Sequence, residues 1–378
     1  MAPNRLSGLD GLRAISILLV LINHSRGSPG FPGWSWLRAV ADEGGVGVTI
    51  FFGLSGYLIT WILVSDEAVT GRIHLGKFYW RRAVRILPPV FLYLGCLWLG
   101  RSFGVLKVQT LDLVACAGFF RQHIDMWQDQ GATLTFHFWS LSVEEQFYLV
   151  WPLLLILTPK TFRLPLTLSL VLFAPIWRQL NIWMFTAAAT NRLRMDFLYD
   201  NLLWGALLAL IATNQHGANL LKRWARFKWI VAVLVVAGTC FALYFRYHRP
   251  MALQLACPTV LAFAIACGLW LLVNRHFPVL NRVLDWSPLQ WLGRISYSLY
   301  IWHVLFLAYV FEWKSPYSHS VGKDAWFLSL PWCWLLALAC AAVSYYGVER
   351  PCLRWRDRHP PHGGEGTELP AVTQPAGR

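Results

Sequence analysis

The sequence predicts an all-α, polytopic bundle of about ten transmembrane helices with both ends in the cytoplasm. Three observations carry that expectation. Only 14% of the 378 residues are charged while 56% are hydrophobic, and the mean hydropathy is +0.45. A water-soluble domain carries about a quarter charged residues, so lipid is the appropriate solvent. Apolar stretches of the roughly 20 residues needed to cross a bilayer recur along the chain. They fall at 9–26, 45–65, 80–100, 137–158, 162–180, 194–213, 228–246, 253–273, 289–312 and 326–348. The short loops between them then divide by basic content, which orients the bundle.

With the N-terminus inside, the cytoplasmic loops hold Arg72, Lys77, Arg81 and Arg82, then Lys160 and Arg163. Further along they hold Lys222, Arg223, Arg226 and Lys228, then Arg275 and Arg282, and finally Arg354, Arg356 and Arg358. The outer loops are nearly balanced, as in Arg38 with Asp42 and Glu43, or Lys314 and Lys323 with Asp324. The loop holding Arg178, Arg192 and Arg194 runs against this rule. Segment 109–120 is apolar but too short to cross and holds Asp112, so an interfacial or re-entrant piece is expected within loop 101–136. Residues 1–355 read as one membrane domain, and 356–378 as a disordered cytoplasmic tail. The first run has a basic start but carries Arg13 and lacks a small-residue cleavage site, so it reads as a retained helix.

The chain carries a formal net charge of +14. Its basic residues alternate with apolar runs instead of gathering on one face, which excludes nucleic acid as the partner. The eight cysteines form no C-x-x-C pair and no Cys/His zinc spacing, so no metal is expected.

Ionisable groups at membrane depth are functional candidates by default, because each is costly there and needs a partner. Arg13 and His24 are eleven residues apart, about three turns, and project from one face about 16 Å apart along the axis. A snorkelling arginine and a helix-terminal histidine are the competing structural reading. Arg82 and Arg85 share a face at the start of 80–100, where guanidinium forks suit phosphates, ahead of Pro88 and Pro89. Topology alone would also explain cytoplasmic arginines.

Segment 137–158 is the most informative. Ser140, Glu144 and Tyr148 fall four apart on one side, and Glu144 with Glu145 places two adjacent carboxylates deep in an apolar run. Acids contribute little to topology, so these must be protonated, paired with arginine or facing water. In 289–312, Ser296, Tyr300 and His303 share a face, and His303 is a secondary candidate beside a packing role. Ser55, within Gly53-Leu54-Ser55-Gly56, reads as a small residue for close helix packing.

Several of these stretches occur in one known family. The sequence resembles acyltransferase family 3, integral-membrane O-acyltransferases of the O-antigen and exopolysaccharide acetylase type. The likeness rests on Leu9-Asp10-Gly11-Leu12-Arg13 through His24, Gly47-Val48 to Ile59, and Arg82-Ala83-Val84-Arg85-Ile86-Leu87-Pro88. Trp139 to Tyr148, Ile295 to His303 and Val348-Glu349-Arg350-Pro351 complete it, in the family's order. The resemblance implies acyl-CoA, usually acetyl-CoA, as a donor substrate from the cytoplasm, with no bound cofactor. It also implies a hydroxyl acceptor on a carbohydrate or lipid-linked glycan, and a bacterial inner-membrane location. The family's Arg-x10-His pattern falls on Arg13 and His24, and its Arg-x-x-Arg pattern on Arg82 and Arg85. The family's acid falls on Glu144 in preference to Glu145. Some relatives append a periplasmic hydrolase-like domain that this sequence lacks, so the membrane domain is expected to handle the acceptor.

The mechanism expected from these residues has His24 as general base and the acceptor hydroxyl as nucleophile. Arg82 and Arg85 would hold the CoA phosphates, and Arg13 the pantetheine region or a carboxylate. Glu144 would either orient His24 or compensate an arginine, with Glu145, Tyr148 and His303 as secondary candidates. A transporter or flippase, a macrolide or other small-molecule acyltransferase, and a non-catalytic scaffold are the alternatives. Trp34, Trp36 and Trp127 could stack on sugars in the outer loops, or belong to the interfacial aromatic belt.

Overall fold

The computed structural model describes residues 8–26, 31–124, 134–184, 193–245, 251–312 and 330–358, and every regular element among them is helical. In chain order these are α1 (Leu9–Ser25), α2 (Ser35–Asp42), α3 (Gly45–Thr70), α4 (Leu75–Ser102) and α5 (Thr110–Ala117). Then come α6 (Phe138–Leu157), α7 (Lys160–Met184), α8 (Met195–Thr213), α9 (Gln215–Trp224) and α10 (Lys228–Phe245). The series closes with α11 (Met251–Val273), α12 (Pro278–Leu284), α13 (Ser287–Glu312), α14 (Leu330–Ser344) and α15 (Arg350–Arg358). A long helix lies on each expected apolar segment, and 109–120 forms the short helix α5 followed by a 3-10 turn at Arg121–His123. Helix α15 extends the ordered chain to Arg358, past the expected start of the tail at 356; the rest of that tail lies outside the described residues.

Among the described residues, seven helical stretches are long and apolar enough to cross a membrane, including α3, α4, α6 and α8. The long helices that fall short of this are α1, α7 and α13. The last two carry Arg163 and Arg178, and Arg294 and His303, while α1 spans 17 residues and carries Asp10, Arg13 and His24. These are polar where they face the protein interior. The outward surface is instead apolar, with Leu157, Trp183, Trp229, Val236 and Val343 all exposed. A multi-pass membrane protein is the consistent assignment, since such a surface is tolerated by lipid and not by water.

Buried ion pairs tie the helices together. Arg178 pairs with Asp200, donates from Nε to the Phe197 carbonyl at 2.8 Å and from Nη1 to Thr259 Oγ1 at 2.8 Å. It is therefore an internal lock between α7, α8 and α11, not a loop charge, which removes part of the topology anomaly; Arg194 pairs locally with Asp196 at 2.9 Å, and Arg192 lies outside the described residues. Arg163 grips both Glu67 oxygens at 2.5 and 3.1 Å, joining α7 to α3. Arg121 lies 3.2 Å from Asp112 and anchors α5 to the turn that follows it.

Helix pairing also fixes which ends meet. Gly44 packs on Asn23 and Gly47 on Ser16, so α3 runs antiparallel to α1. Gly293 packs on Asp10 and His303 meets His24, so α13 runs parallel to α1. Gly56 abuts the Leu202 carbonyl and Gly205 the Gly53 carbonyl, leaving no room for a Cβ where α3 crosses α8. Small residues at such crossings let backbones approach closely in lipid.

That crossing is testable. Gly205→Val should lower the unfolding temperature in detergent by several degrees, because overpacking costs about 1–3 kcal/mol. Gly95→Ala on α4, where a Cβ meets nothing within 4 Å, should leave it unchanged or raise it. Equal melting of the two variants would refute the close crossing.

Candidate active site

A cavity of about 500 Å³ lies between α1, α3, α4, α6 and α13, with Tyr345, Glu349 and Leu353 from the chain around α15 adding to its wall. It has two chemically distinct ends. One end gathers Arg13 from α1 with Arg82 and Arg85 from α4. Arg13 donates to Asp10 Oδ1 at 2.9 Å, one turn back on its own helix. Among the described residues no carboxylate lies within ion-pair distance of Arg82 or Arg85. Arg82 instead rests over the Tyr148 ring at 5.0 Å and the Phe78 ring at 5.8 Å, positions in which a guanidinium is attracted by the ring face.

The fourfold spacing on α6 does what helical periodicity dictates, and Ser140, Glu144 and Tyr148 all line the cavity. Tyr148 donates its hydroxyl to Glu144 Oε1 at 2.5 Å, and Ser55 of α3 donates to the same oxygen. Among the described residues the hydrogen bonds to Glu144 come from Tyr148 and Ser55 and not from His24 or an arginine, while Arg82 lies near enough to feel its charge. Sequence spacing cannot see Ser55 coming, because the bond crosses from another helix. Ser55 is thus more than a small residue for close packing, since it also donates to this carboxylate. Glu145 also lines the cavity, with Oε1 buried and without a hydrogen-bond partner among the described residues.

Glu349 is a further acid of the cavity wall, buried and accepting from Ser298 Oγ at 2.9 Å. It was singled out only as part of a family motif. A single π-helical turn at Tyr345–Glu349 joins α14 to α15 and resets the helical phase, so counting at 3.6 residues per turn misplaces it. Tyr297 of α13 donates to the Ile86 carbonyl at 2.9 Å, just ahead of Pro88 and Pro89, and binds α4 to α13.

At the other end the cavity stops at Tyr300, whose hydroxyl bonds Ser140 Oγ at 2.5 Å and the His137 carbonyl at 2.8 Å. Behind it, His24 Nδ1 lies 2.7 Å from His303 Nε2. The two rings are tilted by only 3° with centroids 5.0 Å apart. That separation equals the N···N distance plus one ring radius on each side, so the rings lie end to end in one plane. His24 is half-buried, whereas His303 and His137 are buried. His137, which the sequence reading passed over, donates from Nε2 to the Ile301 carbonyl at 3.1 Å. Its place just before α6 gave no periodic signal.

Thus Arg13, Arg82, Arg85, Glu144, Glu145 and Tyr148 come together on one cavity, and His24 with His303 forms a separate pair at its far end. Trp34 and Trp36 stack on each other at the start of α2, exposed, with centroids 5.7 Å apart. Trp127 lies outside the described residues. None of the eight cysteines forms a disulfide, and no cluster of His, Cys, Asp or Glu among the described residues could hold a metal.

A model of the acyltransferase domain matches residues 6–346, nearly the whole described bundle. The chain belongs to acyltransferase family 3. Among curated relatives it is similar to the peptidoglycan O-acetyltransferase OatA of Listeria monocytogenes, 28% identical over 78% of this chain and 48% of that protein. It is also 28% identical to the O-acetyltransferase OatA of Staphylococcus aureus, over 93% of this chain and 57% of the relative. A putative peptidoglycan O-acetyltransferase of Bacillus subtilis, YrhL, is 26% identical over 91% of this chain and 54% of its own length. The chain therefore spans about half the length of these relatives. No solved structure matches it.

The shared oxygen of Glu144 makes a prediction. Ser55→Ala and Tyr148→Phe each remove one bond to it, at a cost near 1 kcal/mol apiece. Because both bonds end on one oxygen, unfolding of the double variant should deviate from additivity by at least about 0.5 kcal/mol. Strict additivity would mean the two hydroxyls do not share Glu144.

Proposed function

We propose that this chain is a membrane O-acyltransferase that moves an acyl group, acetyl first among them, from acyl-CoA to a hydroxyl of a glycan. The observation that carries the reading is a cavity with an arginine cluster at one end that stops at Tyr300 at the other, with a coplanar histidine pair directly behind that tyrosine. Family membership supplies the reaction class, the names of the relatives favour a peptidoglycan-type acceptor, and the apolar outer surface suits a bacterial inner membrane. A transporter would account for the buried charges but not for the family.

In this reading Arg82 and Arg85 hold the donor's phosphates by charge-assisted hydrogen bonds. Arg13, oriented by Asp10, stands between them and the histidines and meets the donor's arm. Glu144 fixes the Tyr148 ring on which Arg82 rests, so it acts on the donor site through its neighbour. His24 removes the proton from the acceptor hydroxyl as that oxygen attacks the thioester carbonyl. The C–S bond then breaks, the acyl group stays on the acceptor oxygen, and the departing thiolate receives the proton held by His24. No covalent acyl-enzyme is required.

The test is release of free CoA thiol from acetyl-CoA by the protein in lipid nanodiscs, over a panel of sugar, peptidoglycan and lipid-linked glycan acceptors. Acceptor-dependent release should fall by about 100-fold or more in His24→Ala, the usual range for loss of a general base. Equal release by both proteins would move the base elsewhere. Separately, Arg82→Ala combined with Arg85→Ala should raise the KM for acetyl-CoA about tenfold or more, since hydrogen bonds to a charged group contribute about 1.5–3 kcal/mol. An unchanged KM would refute the phosphate-binding role.

A further inference from the structure

We infer that His303 is a positioning residue that fixes the tautomer of His24 and leaves His24 Nε2 as the free, proton-accepting nitrogen. This rests on the reading of His24 as the base and deepens it. The argument is an account of protons. A neutral imidazole carries one N–H and one lone pair. His303 Nδ1 lies 2.7 Å from the Tyr300 carbonyl and 3.2 Å from the Leu299 carbonyl, and carbonyls only accept. Nδ1 therefore holds the proton, and Nε2 holds the lone pair. His24 Nδ1, 2.7 Å from that lone pair, must donate. The remaining nitrogen of His24, Nε2, points away from His303, and no hydrogen bond among the described residues uses its lone pair.

The surroundings hold this arrangement in place. His303 is fully buried and meets His137 edge to face, with centroids 5.4 Å apart, and Tyr300 at 5.5 Å. Tyr300 is itself pinned by Ser140 and the His137 carbonyl. The His137 proton is committed to the Ile301 carbonyl, so it does not compete for His303 Nε2. When His24 takes a proton at Nε2, its Nδ1–H still points at a lone pair, and the carbonyls behind His303 polarise that acceptor toward the new charge. A buried carboxylate does the same for histidine in serine hydrolases. Here a neutral imidazole backed by a helix carbonyl performs the task.

The direct test is on the unsubstituted full chain in nanodiscs with 15N-labelled histidine. His24, assigned by its disappearance in His24→Gln, should show a protonated Nδ1 and an unprotonated Nε2, and His303 the same. A protonated Nε2 on His24 would overturn the proposal whatever the activity. The kinetic test uses acetyl-CoA and soluble peptidoglycan oligosaccharides. His303→Leu, which removes the acceptor, should lower kcat by about 10- to 100-fold with the KM for acetyl-CoA unchanged, the range expected for residues that orient a functional group. His303→Gln restores a carbonyl oxygen to accept from His24 and should recover most of that loss, which a merely structural role would not predict. Equal losses in the two variants, or a KM that moves with kcat, would overturn the positioning role. If His24→Ala stays active the base assignment itself fails; if it is inactive while His303→Leu is fully active, only this inference fails.

Discussion

The structure depends on one constraint: a charge carried into hydrocarbon must be partnered or must face water. Six buried charges meet it by forming three pairs. Arg178 with Asp200 and Arg163 with Glu67 lock α3, α7, α8 and α11, and Arg121 with Asp112 fixes α5. Removing one member of such a pair leaves an uncompensated buried charge, which costs more than the pair contributes. The pairs are thus better understood as setting helix register than as a source of stability. Once they are accounted for, Arg82 and Arg85 stand out, because they face the cavity, Arg82 over the Tyr148 ring, with no carboxylate within ion-pair distance among the described residues.

The same constraint explains why the cavity wall is built from hydroxyls. Tyr148 and Ser55 satisfy Glu144, Ser298 satisfies Glu349, and Tyr297 reaches the Ile86 carbonyl. Each bond joins a polar group to a partner without adding another charge to a crowded site. The consequence is rigidity, since α3, α4, α6 and α13 are pinned to one another through the groups that line the cavity. Arg82 then rests on a ring whose hydroxyl is already committed to Glu144. A cation held by a fixed ring keeps its hydrogen-bond donors available to a ligand.

How much of this could be read from the sequence follows from which forces are local. Helix positions follow from apolar length, and the shared face of Ser140, Glu144 and Tyr148 from the 3.6-residue period. Both are properties of one segment. The partner of Glu144 is a property of two segments, so Ser55 looked like a packing residue and the acid looked in need of an arginine. Glu349 lies one residue past the last apolar segment, and His137 stands at the first position of 137–158, both at edges where the period says least. Arg178 looked like a loop charge because nothing in its own helix shows that Asp200 lies across from it.

The spacing of the two ends of the site constrains the donor's shape. Arg13 and His24 are eleven residues apart on one helix, about 16 Å along its axis. Arg82 and Arg85 lie toward the Arg13 end, while the nitrogen proposed to take the proton lies at the other, beyond Tyr300. A donor that bonds the arginines through its phosphates must therefore present its reactive carbonyl far from those charges, on a slender extended arm. A CoA thioester has that shape. An acyl phosphate does not, because its charge sits on the atom next to the carbonyl and it cannot occupy both ends at once. Under the proposed roles of the arginines and His24, the division of the site therefore suits a thioester, whose phosphates and carbonyl lie far apart.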